Sequence, residues 1–478
     1  MSFSLGSLLF VGLVFAGFYL LRRRARAYFL LLSSIVFIGF LDIRSCIWVI
    51  IVTAAVYLFG LAEGFYLDRG YDKTAHTVAW TGIICCAGSL LVLKTAAGWN
   101  LPDGIFSGLI LPIGFSYYVF QAIAYLADIL KGKLRAEKNI LFLALYMCYF
   151  PKFISGPIEA PEVFLARVKS LDKVYLKDDN KLSIAFPTIL YGLFMKVVVA
   201  DRLAIYTSRL LASPDEYGSL WLFAGMLMYT IQIYCDFAGY SSIAVGISNL
   251  FGITLTENFF APYFADNMSV FWQRWHASLS GWLKNYIYIP LGGSRKGTFR
   301  RYMNLMAVFL ICGLWHGMGL NFLVWGALHG IFAVCSVAIS GKRSFDRKKG
   351  RNAIARPTCV ITFFCAAFGW IFFGAENLTT ALKYVGNMIF LNAGEGSLLT
   401  QAGLLGFSKA DIVLPAAVAA VVMFDLLMLK KGMPVGRALC TLPAWARYTI
   451  EYLLIMAVLI PGIYGPAYDQ ANFMYMRF

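Results

Sequence analysis

Two of the four histidines, His276 and His316, each follow a tryptophan within residues 271–317, in a chain written almost wholly in apolar letters. An imidazole in such a setting is a functional candidate. It can take a proton from a hydroxyl nucleophile, relay protons or bind a substrate. The neighbouring indoles of Trp275 and Trp315 are candidate hydrogen-bond donors to a developing oxyanion. Asp236, in an apolar run of residues 231–242, is a carboxylate that needs a partner once buried, either to orient a catalytic group or to hold helices together. His329 is expected to be a hydrogen-bonding core residue, and His76 a loop residue without a motif.

Other chemistries are missing from the sequence. There is no G-x-x-x-x-G-K-[ST], G-x-G-x-x-G, H-E-x-x-H or G-x-S-x-G, and no Cys/His cluster. No metal site is therefore expected. The ten cysteines show no ligand spacing and are assigned to packing.

The elements that must position the histidines are membrane helices. The 478 residues are 60% hydrophobic, 16% aromatic and 14% charged, with a mean hydropathy of +0.70. A net charge of +16 fits cytoplasmic loops facing anionic lipid rather than nucleic acid. The first apolar run precedes Arg22–Arg26, the reverse of a cleaved signal peptide, so an uncleaved helix starting outside is expected. From the basic cluster Arg295, Lys296, Arg300 and Arg301, the run Tyr302–Trp315 climbs about 20 Å, short of a roughly 30 Å hydrocarbon core. The chain returns through residues 322–340 to a second basic loop, so His316 is expected at a turn inside the membrane. Irregular backbone there must line a cavity or be buried in protein.

Threading the remaining runs by parity gives about ten or eleven spans and both termini outside. A hairpin is expected to turn at Asp42–Arg44, and a polar loop to run from Glu63 to His76. Residues 139–158 are expected to be re-entrant, 219–253 to form one long or broken segment, and 268–290 to lie in the inner leaflet. No linker separates a soluble domain, so residues 1–478 are expected to form one membrane domain.

The R-W-H and L-W-H-G contexts, together with residues 111–128, 148–158, 192–203, 231–242, 257–263 (ENFFAPY), 271–293 and 313–330 in that order, resemble the membrane-bound O-acyltransferase family. The resemblance is to its bacterial polysaccharide branch, of the alginate O-acetyltransferase membrane-subunit type, and is strongest over residues 105–330. It implies an all-α polytopic fold around a tunnel, with a cytosolic thioester donor and an outer hydroxyl acceptor. His316 is then the catalytic histidine and His276 its companion. Arg295, Lys296, Arg300 and Arg301 become candidate contacts for coenzyme A phosphates, the alternative being ordinary positive-inside residues. The donor is acetyl-coenzyme A as a substrate, with no resident cofactor. The partners are the bilayer, a carrier or coenzyme A donor, and a secreted acetyltransferase. Two alternatives stand beside this: D-alanyl transfer to teichoic acid from a carrier-protein thioester, and a transporter or channel, which would show inverted repeats that the sequence lacks.

Two positions depart from the family pattern. Lys284-Asn285 replaces Arg-Asp, and Gly374 replaces an arginine after W-x-F-F. The ending Phe473–Phe478, of the form F-x-Y-x-x-F, is similar to endings in related acyl-transfer systems and makes Tyr475 a candidate acyl relay. The alternative is a tail packed at the outer interface.

Overall fold

A computed structural model describes residues 5–98, 111–176, 179–340, 357–390, 392–394 and 396–464, and every regular element among them is helical. Seven helices are long and apolar enough to cross a membrane: Arg23–Leu41, Ile43–Asp68, Asp72–Ala96, Lys181–Ala212, Ser219–Leu250, Leu320–Ile339 and Asp411–Lys431. Four shorter apolar helices accompany them, at Gly6–Leu20, Phe115–Leu130, Ile140–Lys152 and Thr358–Gly374. This is an all-α polytopic membrane protein.

The chain divides into two compact units, residues 1–186 with 244–256, and residues 187–243 with 257–478. The first unit begins with α1 (Leu5–Leu20), α2 (Arg26–Leu41), α3 (Ile43–Asp68) and α4 (Asp72–Gly98). It continues with α5 (Phe115–Leu130), α6 (Ile140–Cys148) and α7 (Pro161–Lys169). The α2–α3 hairpin turns at Asp42, whose carboxylate caps α3 by accepting from Arg44 N and Ser45 N. The expected loop from Glu63 to His76 is instead helical except for Arg69–Tyr71. The helix runs on through Gly64 to Asp68, and the reversal is made by Gly70 at φ +77°. Glu63 is thus buried on α3, and His76 is an exposed residue of α4. The segment 139–158 is a short helix followed by irregular chain, because Pro151 ends α6. The buried Lys152 ammonium holds that bend by donating to Tyr146 O at 2.7 Å and to the Gln121 side chain.

The second unit starts within α8 (Asp179–Leu193), which carries on through a widened π-turn at Phe194–Ala200 into α9 (Asp201–Ala212). The long α10 (Ser219–Leu250) is unbroken. Next come α11 (Met268–Arg274), α12 (Ala277–Leu283) with a π-turn at Lys284–Tyr288, α13 (Thr298–His316), α14 (Leu320–Ser340) and α15 (Thr358–Gly374). The chain continues through α16 (Leu378–Ile389), α17 (Leu398–Leu405), α18 (Leu414–Lys431), α19 (Val435–Cys440) and α20 (Ala444–Leu459).

Helices α8 and α10 touch backbone to backbone. A Cβ on Gly192 would lie 2.7 Å from Gly239 O, and one on Gly239 would lie 2.8 Å from Gly192 O. Small residues at such crossings let apolar helices gain packing where no hydrophobic drive separates helix from lipid. Gly192→Val should destabilise the protein by about 1–3 kcal/mol. Gly12→Ala, inside α1 at a position with no atom within 4 Å, should not lower the unfolding midpoint in detergent.

Candidate active site

The α13–α14 hairpin fixes His316. A Cβ on Gly326 would lie 2.5 Å from Phe309 O and 3.4 Å from the Gly313 Cα, so the two helices meet at their glycines and nothing larger fits between them. His316 is the last residue of α13. Gly317 then turns extended, its N–H still donating to Gly313 O at 3.1 Å. Two residues past the turn, Asn321 Nδ2 donates to Phe372 O at 3.2 Å and Ala375 O at 3.0 Å, tying the start of α14 to the end of α15. The His316 ring lies in a box of Trp315 (4.6 Å between centroids), Trp325 (5.1 Å) and Phe373 (5.0 Å).

His276 sits at the break between α11 and α12 with φ +43° and ψ +54°, a left-handed conformation uncommon outside glycine. The break is wired to the loop before it. Phe260 N donates to Arg274 O at 3.0 Å, Ala277 N donates to Asn258 O at 3.0 Å, and the Arg274 guanidinium donates to Phe264 O at 3.1 Å. The His276 ring meets Phe237 edge-on at 4.6 Å and lies 6.4 Å from the Trp315 ring. The indole of Trp315 is therefore the neighbour that His276 and His316 share, and both imidazoles are almost completely withdrawn from solvent, at 1% and 3% exposure. Trp275 occupies a different wedge, packed on Phe271 at 5.6 Å and Trp370 at 4.7 Å.

Asp236 finds its partner in a residue that the sequence reading missed. Lys196 Nζ lies 2.6 Å from Asp236 Oδ1 and 2.7 Å from Asp201 Oδ1, with all three side chains buried. Lys196 and Asp201 are five residues apart, a spacing that an α-helix splays and a π-turn brings together. A lysine and an aspartate flanking an apolar run, with Asp236 in the next run, was the available signal.

His329 corrects an expectation. Neither ring nitrogen has a hydrogen-bond partner among the described residues, because the imidazole is boxed by Trp272, Trp325 and Trp370 at 5.2, 4.9 and 5.6 Å. A Cβ on Gly369 would meet its Nε2 at 2.7 Å. Arg295, Lys296 and Arg300 are exposed and Arg301 half-buried around the start of α13, the end opposite His316. Over the 16 residues from Arg300 to His316 the helix rises about 24 Å. The departure at Gly374 has a packing counterpart, since the Tyr229 ring stands 2.5 Å from where a Cβ would be. Tyr475 lies outside the described residues.

A cavity with room for about one water is lined by Thr188, Tyr191, Tyr234, Ser242, Glu257 and Phe259, among others. Tyr234 donates to Asp425 Oδ1 at 2.7 Å. Burial pushes the Glu257 carboxyl up to about 7, opposed by Arg437.

Residues 104–374 match the model of the MBOAT, membrane-bound O-acyltransferase family. The probable alginate O-acetylase AlgI of Pseudomonas fluorescens is 34% identical over 430 residues, covering 88% of this chain and 82% of that protein. The chain belongs to the membrane-bound O-acyltransferase family. A peptidoglycan O-acetyltransferase of Helicobacter pylori is 36% identical over 313 residues, 59% of this chain and 58% of that protein. A teichoic acid D-alanyltransferase of Bacillus subtilis is 26% identical over 274 residues, 55% of this chain and 69% of that protein. Family membership makes the chain an O-acyltransferase, so the transporter reading falls away. The matched region takes in every element around His276 and His316, up to Gly374 at the end of α15.

Two predictions follow from the charges. Lys196→Met leaves two buried carboxylates without their cation and should destabilise by about 3–5 kcal/mol, read as a lowered unfolding midpoint in detergent. Glu257 binds its proton more tightly folded than unfolded, so its contribution is complete below the ordinary value of 4.5 and is lost as pH rises through about 7. Glu257→Gln should flatten that part of the stability–pH curve.

Proposed function

We propose that this enzyme moves acetyl groups from acetyl-coenzyme A in the cytosol across the cell membrane for O-acetylation of an extracellular polysaccharide. Both termini would lie outside, and a secreted or membrane-anchored acetyltransferase would receive the group. The observation that carries this reading is the pair of buried imidazoles that share Trp315 as a neighbour, with His316 at the turn of a hairpin whose far end presents exposed basic side chains. Polysaccharide O-acetylation is the role named for the alginate and peptidoglycan relatives.

In this mechanism an acceptor hydroxyl attacks the thioester carbonyl. His316 takes the hydroxyl proton as the C–O bond forms, and the proton goes to the coenzyme A thiolate as the C–S bond breaks. General base catalysis of this kind contributes about two to four orders of magnitude. His276 would stand across Trp315 as the second imidazole, orienting the acceptor or donating to the acyl oxygen. The basic groups at the start of α13 would hold the coenzyme A phosphates.

A second reading, D-alanyl transfer from a carrier-protein thioester, is favoured by the teichoic acid D-alanyltransferase similarity. It differs in the donor and shares the histidines. Tyr475 is proposed as a transient acyl carrier, and full polysaccharide acetylation by an intact Tyr475→Phe variant would rule the relay out.

The deciding experiment measures acetyl-coenzyme A consumption by purified protein in detergent, together with its partner. A folded His316→Ala variant should lose about 100-fold or more in turnover. Turnover retained by that variant sinks the assignment of the base. If the wild type ignores acetyl-coenzyme A and consumes a carrier-protein thioester, the second reading replaces the first.

A further inference from the structure

We infer that Asn258 is a positioning residue of the active site, acting through the backbone of His276. The inference rests on the reading of His276 as a site residue. Asn258 belongs to the loop between α10 and α11 and is 18 residues away from His276 in sequence, yet it contacts the chain directly after it. Its carbonyl accepts from Ala277 N at 3.0 Å and its side-chain Oδ1 accepts from Ser278 N at 3.1 Å. Because the Ser278 N–H can only donate, the amide orientation is fixed with Oδ1 toward α12. The residue is 1% exposed, so no water competes for these bonds.

These two bonds do what an N-cap side chain ordinarily does, satisfying the first N–H groups of a helix. Here the residue in the N-cap position is His276 itself, whose side chain makes no cap bond to α12. The capping task is moved to Asn258, and the imidazole faces Phe237 and Trp315. The arrangement also bears on strain. A non-glycine residue at φ +43° is strained and persists only where its surroundings over-determine it. On one side of His276, Phe260 N is bonded to Arg274 O. On the other, Asn258 takes the next two N–H groups. The chain is thus pinned within two residues on either side of the strained residue by a single short stretch, 258–260. The same stretch sets the ring's surroundings, since Phe259 packs on Phe237 at 5.0 Å and Phe237 packs on His276.

The test uses the full-length protein in detergent and two independent readouts. The first is a thermal-unfolding cycle of wild type, Asn258→Ala, His276→Gly and the double variant. Asn258→Ala should lower the midpoint, and the loss should shrink in the His276→Gly background, because glycine adopts this backbone without help. Equal losses in both backgrounds overturn the inference. The second is turnover of acetyl-coenzyme A. Asn258→Ala should cut kcat roughly 10- to 100-fold with the donor KM changed by less than about two-fold. Asn258→Asp, which keeps an oxygen for Ser278 N, should recover most of it. Wild-type kcat in a folded Asn258→Ala enzyme also overturns the inference, whatever its midpoint. If His276→Ala itself turns over at the wild-type rate, what fails is the assignment of His276 to the site, and the unfolding cycle still judges the clamp without reference to any donor.

Discussion

The close approach of α13 and α14 through Gly313 and Gly326 is the constraint on which the site depends. Two helices whose backbones touch cannot slide or splay without breaking van der Waals contact along their length, and lipid offers no compensating gain. The turn between them is therefore held in one place, and with it His316, the last residue of α13. Asn321 extends the same logic by fastening the start of α14 to the carbonyls at the end of α15. That brings Phe373 against the imidazole and closes the aromatic box from the third side.

Several buried ionisable groups of the second unit meet specific partners. Lys196, on the widened turn between α8 and α9, bridges two carboxylates, Asp201 at the start of α9 and Asp236 on α10. Tyr234 takes Asp425, and Arg202 takes Asp411 at 2.8 Å. Such pairs are weak sources of net stability but costly to break, because removing one partner strands a charge in a medium that cannot solvate it. They fix helix register more than they strengthen the fold. The π-turn at Phe194–Ala200 exemplifies this, since a regular α-helix would send Lys196 and Asp201 to different faces.

The proposed chemistry rests on the way the two imidazoles are presented. Both are placed by backbone irregularities, the end of a helix for His316 and a left-handed break for His276, rather than by side-chain reach along a regular face. Irregular backbone has its own hydrogen-bond demands, and in an apolar protein these must be met internally. The loop of residues 258–264 meets them for His276, and Gly313 O does so for Gly317. An acyl-transfer site needs reacting groups held to within a fraction of an ångström, and anchored breaks supply that where a flexible loop would not.

Much of this was written in the sequence. Apolar runs of spanning length, basic loops, the Asp42 hairpin and the paired tryptophan–histidine words follow from local rules: helices satisfy their own backbone in lipid, charge stays in water, and Asp caps a helix two or three residues on. The location of His316 at a turn was legible for the same reason. The Glu63–His76 stretch misled because charge alone does not end a helix, and only Gly70 had the conformation to do so. His329 misled because its type suggests a hydrogen bond, while its neighbours come from α11, α14 and α15, far apart in sequence. The tertiary structure alone decided that Lys196 meets Asp236, that Trp315 neighbours both imidazoles, and that Asn258 caps α12. Each is a contact between segments whose spacing in the chain carries no periodic signal, and only packing at a particular helix crossing and register brings them within hydrogen-bond or ring-contact distance.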